Sequence, residues 1–201
     1  MPSLGLGFRG AIIGSIVPIV LFYVVLTRFE NLTAAVLVAS AWTLTVFAVR
    51  YWRTHRFDMF SGAALVFIAL QTAVGLISQN TQAYLAVPAL EGVFFAVIMF
   101  GSVAIRQPLI GIIARQFVPI PDELVGTRPY LIAFGLPTLA WATVLLLRAA
   151  VRLALLEALP VGQFLVAVTS FSWATSLLLL AFSVWFPNRI LKPYLNGEKR
   201  A

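Results

Sequence analysis

Long apolar runs separated by short polar stretches make up most of this chain. Each of six runs is near the length of about 20 residues that an α-helix needs to cross the hydrocarbon core of a bilayer. Such runs are typical of transmembrane helices, and together they use most of the sequence. We therefore predict an all-α integral membrane bundle of six transmembrane helices. The predicted helices cover residues 10–27, 32–49, 60–78, 84–104, 130–153 and 162–186.

The polar stretch between the fourth and fifth predicted helices, residues 105–129, is the stretch around which the chain is organised. It combines three arginines with several prolines and an adjacent pair of carboxylates, Asp122 and Glu123. Acidic residues that follow a proline favour the first turn of a helix, so this pair predicts a short helix at the membrane surface. We expect the whole stretch to form a central cytoplasmic loop.

Composition agrees with a membrane protein. The chain is 61% hydrophobic and 10% charged, with a mean hydropathy of +0.98, whereas soluble domains carry about 25% charged residues. We expect one integral membrane domain over residues 1–201. The chain has no cysteine, which excludes disulfides and thiolate chemistry.

Lysine and arginine are distributed unequally between the two sides of the predicted helices. Eleven lie on the side that holds both termini and the central loop, and three lie on the opposite side. The positive-inside rule therefore predicts that both termini are cytoplasmic. Because the basic residues fall between apolar runs and form no single patch with interleaved aromatics, we expect no nucleic-acid binding.

Six of the arginines, in the loop after the second helix and in the central loop, are predicted to form a cytoplasmic belt. Each would contribute on the order of 1 kcal/mol near anionic lipid headgroups. Topology alone explains the same bias, and contact with headgroups or a partner protein is the functional alternative. The six are Arg50, Arg53, Arg56, Arg106, Arg115 and Arg128.

A second polar group lies inside the predicted helices, toward the outer side. Gln71 and Glu91 lie roughly 10 Å below the outer ends of the third and fourth helices, at a rise of about 1.5 Å per residue. Arg148 and Arg152 share one face of the fifth helix. Since a charge at this depth is costly unless paired, we hypothesise that Glu91 pairs with one of these arginines. With Gln71, the set would line an outward-facing pocket for a lipid headgroup or small anion. A structural ion pair with a snorkelling arginine is the alternative.

Candidates for catalysis or metal binding are few. The single histidine, His55, lies among arginines in a predicted loop without a second ligand at metal-binding spacing. No metal-ligand pair motif and no nucleophile motif is present in the sequence. We therefore expect no catalytic residues, no metal and no cofactor.

Three motifs carry a resemblance to a known family. Arg106-Gln107-Pro108-Leu109-Ile110 closes the fourth helix, Pro119-Ile120-Pro121 follows it, and Leu159-Pro160-Val161-Gly162-Gln163-Phe164-Leu165 opens the sixth. In this order and spacing the chain resembles the intracellular septation protein A family and its uncharacterised bacterial relatives. The resemblance implies a small multi-pass protein of the bacterial inner membrane, associated with cell-envelope maintenance and septation. It implies no established reaction.

The leading expectation is a non-enzymatic inner-membrane protein that acts through lipid and protein contacts. Its expected partners are membrane lipids, anionic on the cytoplasmic face, together with envelope-assembly proteins or a second copy of the chain. The alternative is a small transporter or lipid-handling protein that uses the outward-facing pocket. An integral-membrane enzyme acting on a lipid or isoprenoid is the third possibility.

Overall fold

The computed structural model describes residues 4–54, 59–116, 118 and 120–195. Every regular element in these ranges is a helix. Six long helices are joined by short connections, and a short helix with a single 3₁₀ turn lies between the fourth and the next long helix. The elements are α1 (Leu4–Phe29), α2 (Leu32–Thr54), α3 (Met59–Ser78), α4 (Thr81–Ala104), α5 (Leu109–Ala114), the 3₁₀ turn Asp122–Leu124, α6 (Arg128–Ala158) and α7 (Val161–Leu195).

Four helices are long and apolar enough to cross a membrane within the described part of the chain. They contain the segments Leu32–Arg53, Thr81–Ala104, Arg128–Ala158 and Val161–Tyr194, and α1 and α3 contribute shorter apolar segments. Many large apolar side chains on these helices are exposed, such as Leu178 in α7 at 70%. Apolar surface of this extent is stable against lipid rather than water, so the chain is an integral membrane protein.

The helices extend further than the sequence pattern predicts. α6 continues to Ala158, past the predicted end at residue 153, and α7 continues to Leu195, past residue 186. α7 passes through Pro187, which is buried, and the turn beyond it places Leu191 in a buried cluster. Packing therefore outweighs the hydrogen bond that the proline removes.

Contacts divide the described residues into two compact units, and the prediction of a single domain stays a prediction. The first unit holds residues 4–88 together with 156–165. In it α1 packs on α2, and α2 packs on α3. Gly75 makes this packing close, because a Cβ there would lie 2.8 Å from Val36 Cγ2 and 2.9 Å from Tyr84 Cδ2. The ring of Tyr84 stacks on Phe22 with centroids 4.8 Å apart.

Two tight turns of the first unit are built alike. α1 is followed by Glu30 (φ 49°) and α3 by Gln79 (φ 48°), both in the left-handed region. An asparagine follows each and caps the next helix: Asn31 Oδ1 accepts the Ala34 N–H at 2.9 Å. Asn80 Oδ1 likewise accepts the Gln82 N–H at 2.8 Å. Side-chain oxygens in this position satisfy the unpaired N–H groups that begin a helix.

The second unit holds residues 89–155 together with 166–195. Its largest feature is the antiparallel pair of α6 and α7. Trp141 Nε1 donates to Ser183 Oγ at 3.0 Å, and nearer the start of α6 Phe134 shares a buried cluster with Leu191. As the chain advances along α6, its contacts therefore move backward along α7, and this places the Arg148 side chain against the middle of α7.

Candidate functional site

Arg148 is the centre of a polar cluster between α6 and α7. Its Nε donates to Thr175 Oγ1 at 2.8 Å. Its Nη2 donates to the Ser172 carbonyl oxygen at 2.9 Å and to Ser176 Oγ at 3.0 Å, and also bonds Thr175 Oγ1. All of these acceptors are neutral and lie within one turn and a half of α7, so the guanidinium is held by hydroxyl and carbonyl dipoles.

A hydrogen bond within α7 orients the Thr175 hydroxyl so that its oxygen can accept from Arg148. Its hydroxyl donates to the Phe171 carbonyl oxygen at 2.6 Å, the back-bond that threonine often makes inside a helix. The hydrogen atom is therefore committed to the backbone, and the oxygen lone pairs face the guanidinium. A hydrogen bond to a charged group is worth about 1.5–3 kcal/mol, so Arg148 fastens α6 to α7 inside a segment long enough to span the membrane.

Glu91 and Arg152 belong to a different part of the same unit. Glu91 is half-buried on α4, and α4 approaches α6 closely at the next residue, where a Cβ on Gly92 would lie 3.4 Å from the Leu145 carbonyl oxygen. Of the two arginines predicted as partners of Glu91, Arg152 is the one whose positive charge acts on the Glu91 carboxyl. The two arginines of the predicted set therefore have different surroundings.

Gln71 lies half-buried on α3, in the first unit. The adjacent Thr72 shares a hydrogen bond with Ser40 of α2, with 2.7 Å between the two hydroxyl oxygens. This part of α3 is thus a hydroxyl-lined contact with α2. A common pocket of Gln71 with Glu91, Arg148 and Arg152 stays a prediction.

The stretch predicted as the central loop is more ordered than a loop. It begins where α4 ends: the Arg106 N–H donates to the Val103 carbonyl oxygen at 2.9 Å, and the Gln107 N–H to the Ser102 carbonyl oxygen at 2.8 Å. This pair of bonds is a Schellman motif, whose first residue after the cap is left-handed and is usually glycine. Here that residue is Arg106, with φ 60°, a conformation that costs roughly 1–2 kcal/mol for a residue with a side chain.

Buried hydroxyls then anchor α5. Ser102 Oγ accepts the Leu109 N–H at 3.1 Å, and Thr138 Oγ1 accepts the Ile110 N–H at 3.3 Å. Both hydroxyl groups donate in turn to carbonyl oxygens of their own helices. The first amides of α5 are therefore satisfied by α4 and α6, as the start of a helix requires.

A small apolar core lies beneath α5. Its fully buried members are Tyr130, Ala133, Phe134 and Leu191, and Ile110, Ala114 and Ile120 pack against them. Gly111 makes the contact possible, because a Cβ there would lie 2.5 Å from Tyr130 Oη and 3.1 Å from Phe134 Cβ. The stretch between α4 and α6 thus contains α5 and is ordered by burial of apolar side chains against α6 and α7, while its place in the cytoplasm stays a prediction. At the acidic pair the structure has the 3₁₀ turn Asp122–Leu124, and its place at the membrane surface likewise stays a prediction.

The arginines of the predicted belt differ in their surroundings. Arg53, Arg106, Arg115 and Arg128 are exposed. Arg115 Nη2 forms an ion pair with Asp122 Oδ1 at 2.6 Å, which joins the end of α5 to the 3₁₀ turn. Arg56 lies outside the described residues, as does the side chain of Arg50.

The sequence analysis did not single out five residues that form the contacts around α5 and Arg148. They are Ser102, Gly111, Thr138, Thr175 and Ser176. Their signal is weak, because a serine or threonine in an apolar run is ordinary in transmembrane helices, where it bonds the preceding turn. One signal was available. Glycine directly after the Arg106–Ile110 motif indicates a close approach of backbone to a neighbouring side chain.

Comparison with known proteins gives one match. The sequence model of a family described as Protein of unknown function (DUF3159) matches residues 5–193. No curated protein and no solved structure matches the chain. The expected relation to an uncharacterised family is thereby confirmed. The match covers all the described helices apart from the first residue of α1 and the last residues of α7.

Proposed function

The chain belongs to this family of proteins of unknown function, and on that premise we propose that it is a non-enzymatic protein of the bacterial inner membrane that acts through lipid and protein contacts in cell-envelope maintenance. The three motifs that resemble the septation protein A family extend this proposal to a role near the division site. The proposed role includes no reaction and no cofactor.

We propose six membrane spans, with both termini in the cytoplasm. α1 has 26 residues and α3 has 20, enough for the about 20 residues of one crossing. The excess of lysine and arginine on the side of both termini supports the orientation. The guanidinium of Arg189 lies 5.6 Å from the ring centroid of Trp185 near the end of α7, a pairing typical of membrane interfaces.

The hydrogen bonds of Arg148 to α7 are the observation that carries the non-enzymatic proposal. An arginine that binds a substrate needs donors free to bond it, whereas the Nε and Nη2 donors of Arg148 already bond hydroxyl and carbonyl oxygens of α7. Large apolar side chains on α7 are exposed, as at Val166 and Val184. This arrangement supports a protein that holds its helices rigidly and presents its surface to lipid and to other proteins.

Native mass spectrometry of the protein in nanodiscs, with extraction and identification of retained molecules, tests the proposal. We expect bulk lipid together with a discrete oligomer or a bound protein. A stoichiometric small molecule that is lost in a Glu91→Gln variant would contradict it.

Topology is tested separately, because the cysteine-free chain gives no background in single-cysteine labelling. A membrane-impermeant maleimide should label Gln82→Cys in intact spheroplasts and Glu123→Cys only after lysis. The reverse pattern would contradict the proposed orientation.

A lipid-handling or transport role is the second candidate, and Glu91 favours it. An ionisable side chain inside a membrane-spanning helix is often part of a ligand or ion pathway. Glu91 is half-buried on α4, and the charge of Arg152 acts on it. If this role is correct, Glu91→Gln and Arg152→Ala should each abolish retention of one molecule, while Arg148→Lys, which keeps the charge held by α7, should retain it.

A further inference from the structure

We propose that Arg106, together with the exposed apolar side chains of Ile105 and Ile112, forms a binding site for the phosphate and upper acyl chains of one anionic phospholipid. This inference rests on the proposed function, in that it assigns the lipid contact to a particular surface of the central segment.

The backbone at Arg106 is the first reason. The residue lies left-handed at φ 60°, in the position of a Schellman motif where glycine is the usual residue. The two backbone bonds of the motif, from the N–H groups of Arg106 and Gln107, need no side chain. An arginine thus lies at a position that glycine would occupy at lower cost, and the motif itself makes no use of the guanidinium.

The surroundings of the guanidinium are the second reason. Within the described part of the chain no ion pair or hydrogen bond of the Arg106 side chain is present, and the residue is exposed. Gln79, which is also left-handed, differs: its Nε2 donates to the Leu76 carbonyl oxygen at 2.7 Å and to Thr33 Oγ1 at 3.1 Å. The side chain of Gln79 thus bonds other groups of the protein, whereas the exposed guanidinium of Arg106 is open to water and to an external ligand.

Exposed apolar residues on either side of Arg106 in the chain are the third reason, because they favour a lipid over a free anion. Ile105, directly before Arg106, is 68% exposed, and Ile112, in α5, is 44% exposed. Such side chains are unfavourable in water, and a cation combined with exposed apolar groups is the pattern of surfaces that lie at the headgroup boundary. The core beneath α5 fixes the helix that carries Ile112, and the hydrogen bonds that close α4 fix the backbone at Ile105.

The distance from the spanning helix fits a headgroup. α4 ends at Ala104, and Arg106 follows two residues later in the turn that closes the helix. Two residues span at most ~7 Å, and the polar region on each side of the hydrocarbon core is roughly 5–8 Å thick. With α4 crossing the membrane as proposed, Arg106 lies within this polar region, and anionic lipid is the complement to its charge.

Reconstitution of the full chain in nanodiscs tests the site. Discs would contain phosphatidylcholine with one-fifth phosphatidylglycerol, and native mass spectrometry would count the phosphatidylglycerol retained after detergent release. We expect Arg106→Gln to reduce the lipid-bound fraction about fivefold, the change for one arginine at an anionic surface, and Arg106→Lys to preserve it. Arg106→Gly should lose the lipid while keeping the fold, since glycine suits the left-handed backbone.

Arg28→Gln is the matched control, because Arg28 is exposed in the regular helix α1 and lies outside the predicted belt of arginines. Unchanged retention in Arg106→Gln, or an equal loss in Arg28→Gln, would overturn the inference in favour of general charge. Loss of a co-purified protein without loss of lipid would overturn it in favour of a protein contact. If instead the wild-type chain fails to enter discs as a folded protein, the proposed function itself has failed.

Discussion

Two arginines of the second unit, Arg148 and Arg106, show how differently the same side chain is used. Arg148 lies between α6 and α7, and its Nε and Nη2 donors bond hydroxyl and carbonyl oxygens of α7. Arg106 lies past the end of α4, exposed and on a left-handed backbone. The Arg148 side chain itself joins α6 to α7. Near Arg106 the arginine side chain joins no helices, and the hydroxyls of Ser102 and Thr138 connect α5 to α4 and α6 instead.

The difference follows from the solvent. In the hydrocarbon region a guanidinium has no water to bond, so neighbouring helices must supply its acceptors. At the membrane surface, water and phosphate supply them, and the protein must instead order its own backbone. Four predictions test this contrast.

The largest difference between a variant and its control is expected at Gly111, where the backbone of the central segment meets the core. Gly111→Ala places a Cβ 2.5 Å from Tyr130 Oη, and overpacking of this kind costs about 1–3 kcal/mol. Gly135→Ala is the control, because nothing lies within 4 Å of its Cβ and alanine gains about 0.5–1 kcal/mol over glycine in a helix. The free energy of unfolding in mixed micelles measures both. Equal values for the two variants would contradict the close packing of α5.

Removal of the Thr175 hydroxyl should weaken the Arg148 cluster. Thr175→Val removes the acceptor for Nε at 2.8 Å, and we expect a loss of about 1.5–3 kcal/mol in the free energy of unfolding. The same change in an Arg148→Met background should cost little, since the guanidinium is gone. Thr169→Val, on the same helix, is the control. A double-mutant cycle with no coupling between positions 148 and 175 would mean that the charge is stabilised elsewhere.

Relief of the strained backbone should give a smaller effect of opposite sign. Arg106→Gly removes the side chain from a left-handed position, and we expect a gain of about 1 kcal/mol in the free energy of unfolding. Arg53→Gly, in the regular helix α2, should instead lose about 1 kcal/mol. Thermal unfolding of the two variants in the same detergent distinguishes the signs. A loss at Arg106 as well would indicate that its side chain stabilises the fold.

The smallest effect is expected at the surface ion pair of Arg115 and Asp122. Their side chains are 42% and 89% exposed, and exposed pairs contribute about 0.2–1 kcal/mol. Asp122→Asn should therefore lose no more than this, and the loss should disappear at 1 M salt, where the Debye length is about 3 Å. Glu123→Gln is the control on the neighbouring carboxyl. A loss that persists in high salt would show that Asp122 acts through the 3₁₀ turn itself.

Much of the fold was readable from the sequence because the bilayer imposes a simple length rule. Each predicted apolar run lies within a helix of the structure, and the short polar turn predicted after the first run is present after Phe29. The helix ends were predicted less well, since proline at position 187 indicates a stop while packing of Leu191 continues the helix. The predicted pocket of four polar residues could not be derived from the sequence in the same way. Helical spacing indicates which residues share a face of one helix, but not which residues of other helices they contact.

The sequence by itself determined that this chain is helical and enters a membrane, because both properties follow from the length and composition of continuous apolar segments. It also predicts, for six spans, that lysine and arginine are concentrated on one side of the membrane. Only the tertiary structure decided that Arg148 bonds α7, that Gly111 must lack a side chain and that Arg106 lies on a strained backbone. The first two depend on which helices meet and at what height, and such contacts arise between segments that are distant in the chain. The third is local to the end of α4, where the turn takes a conformation that the arginine side chain does not favour.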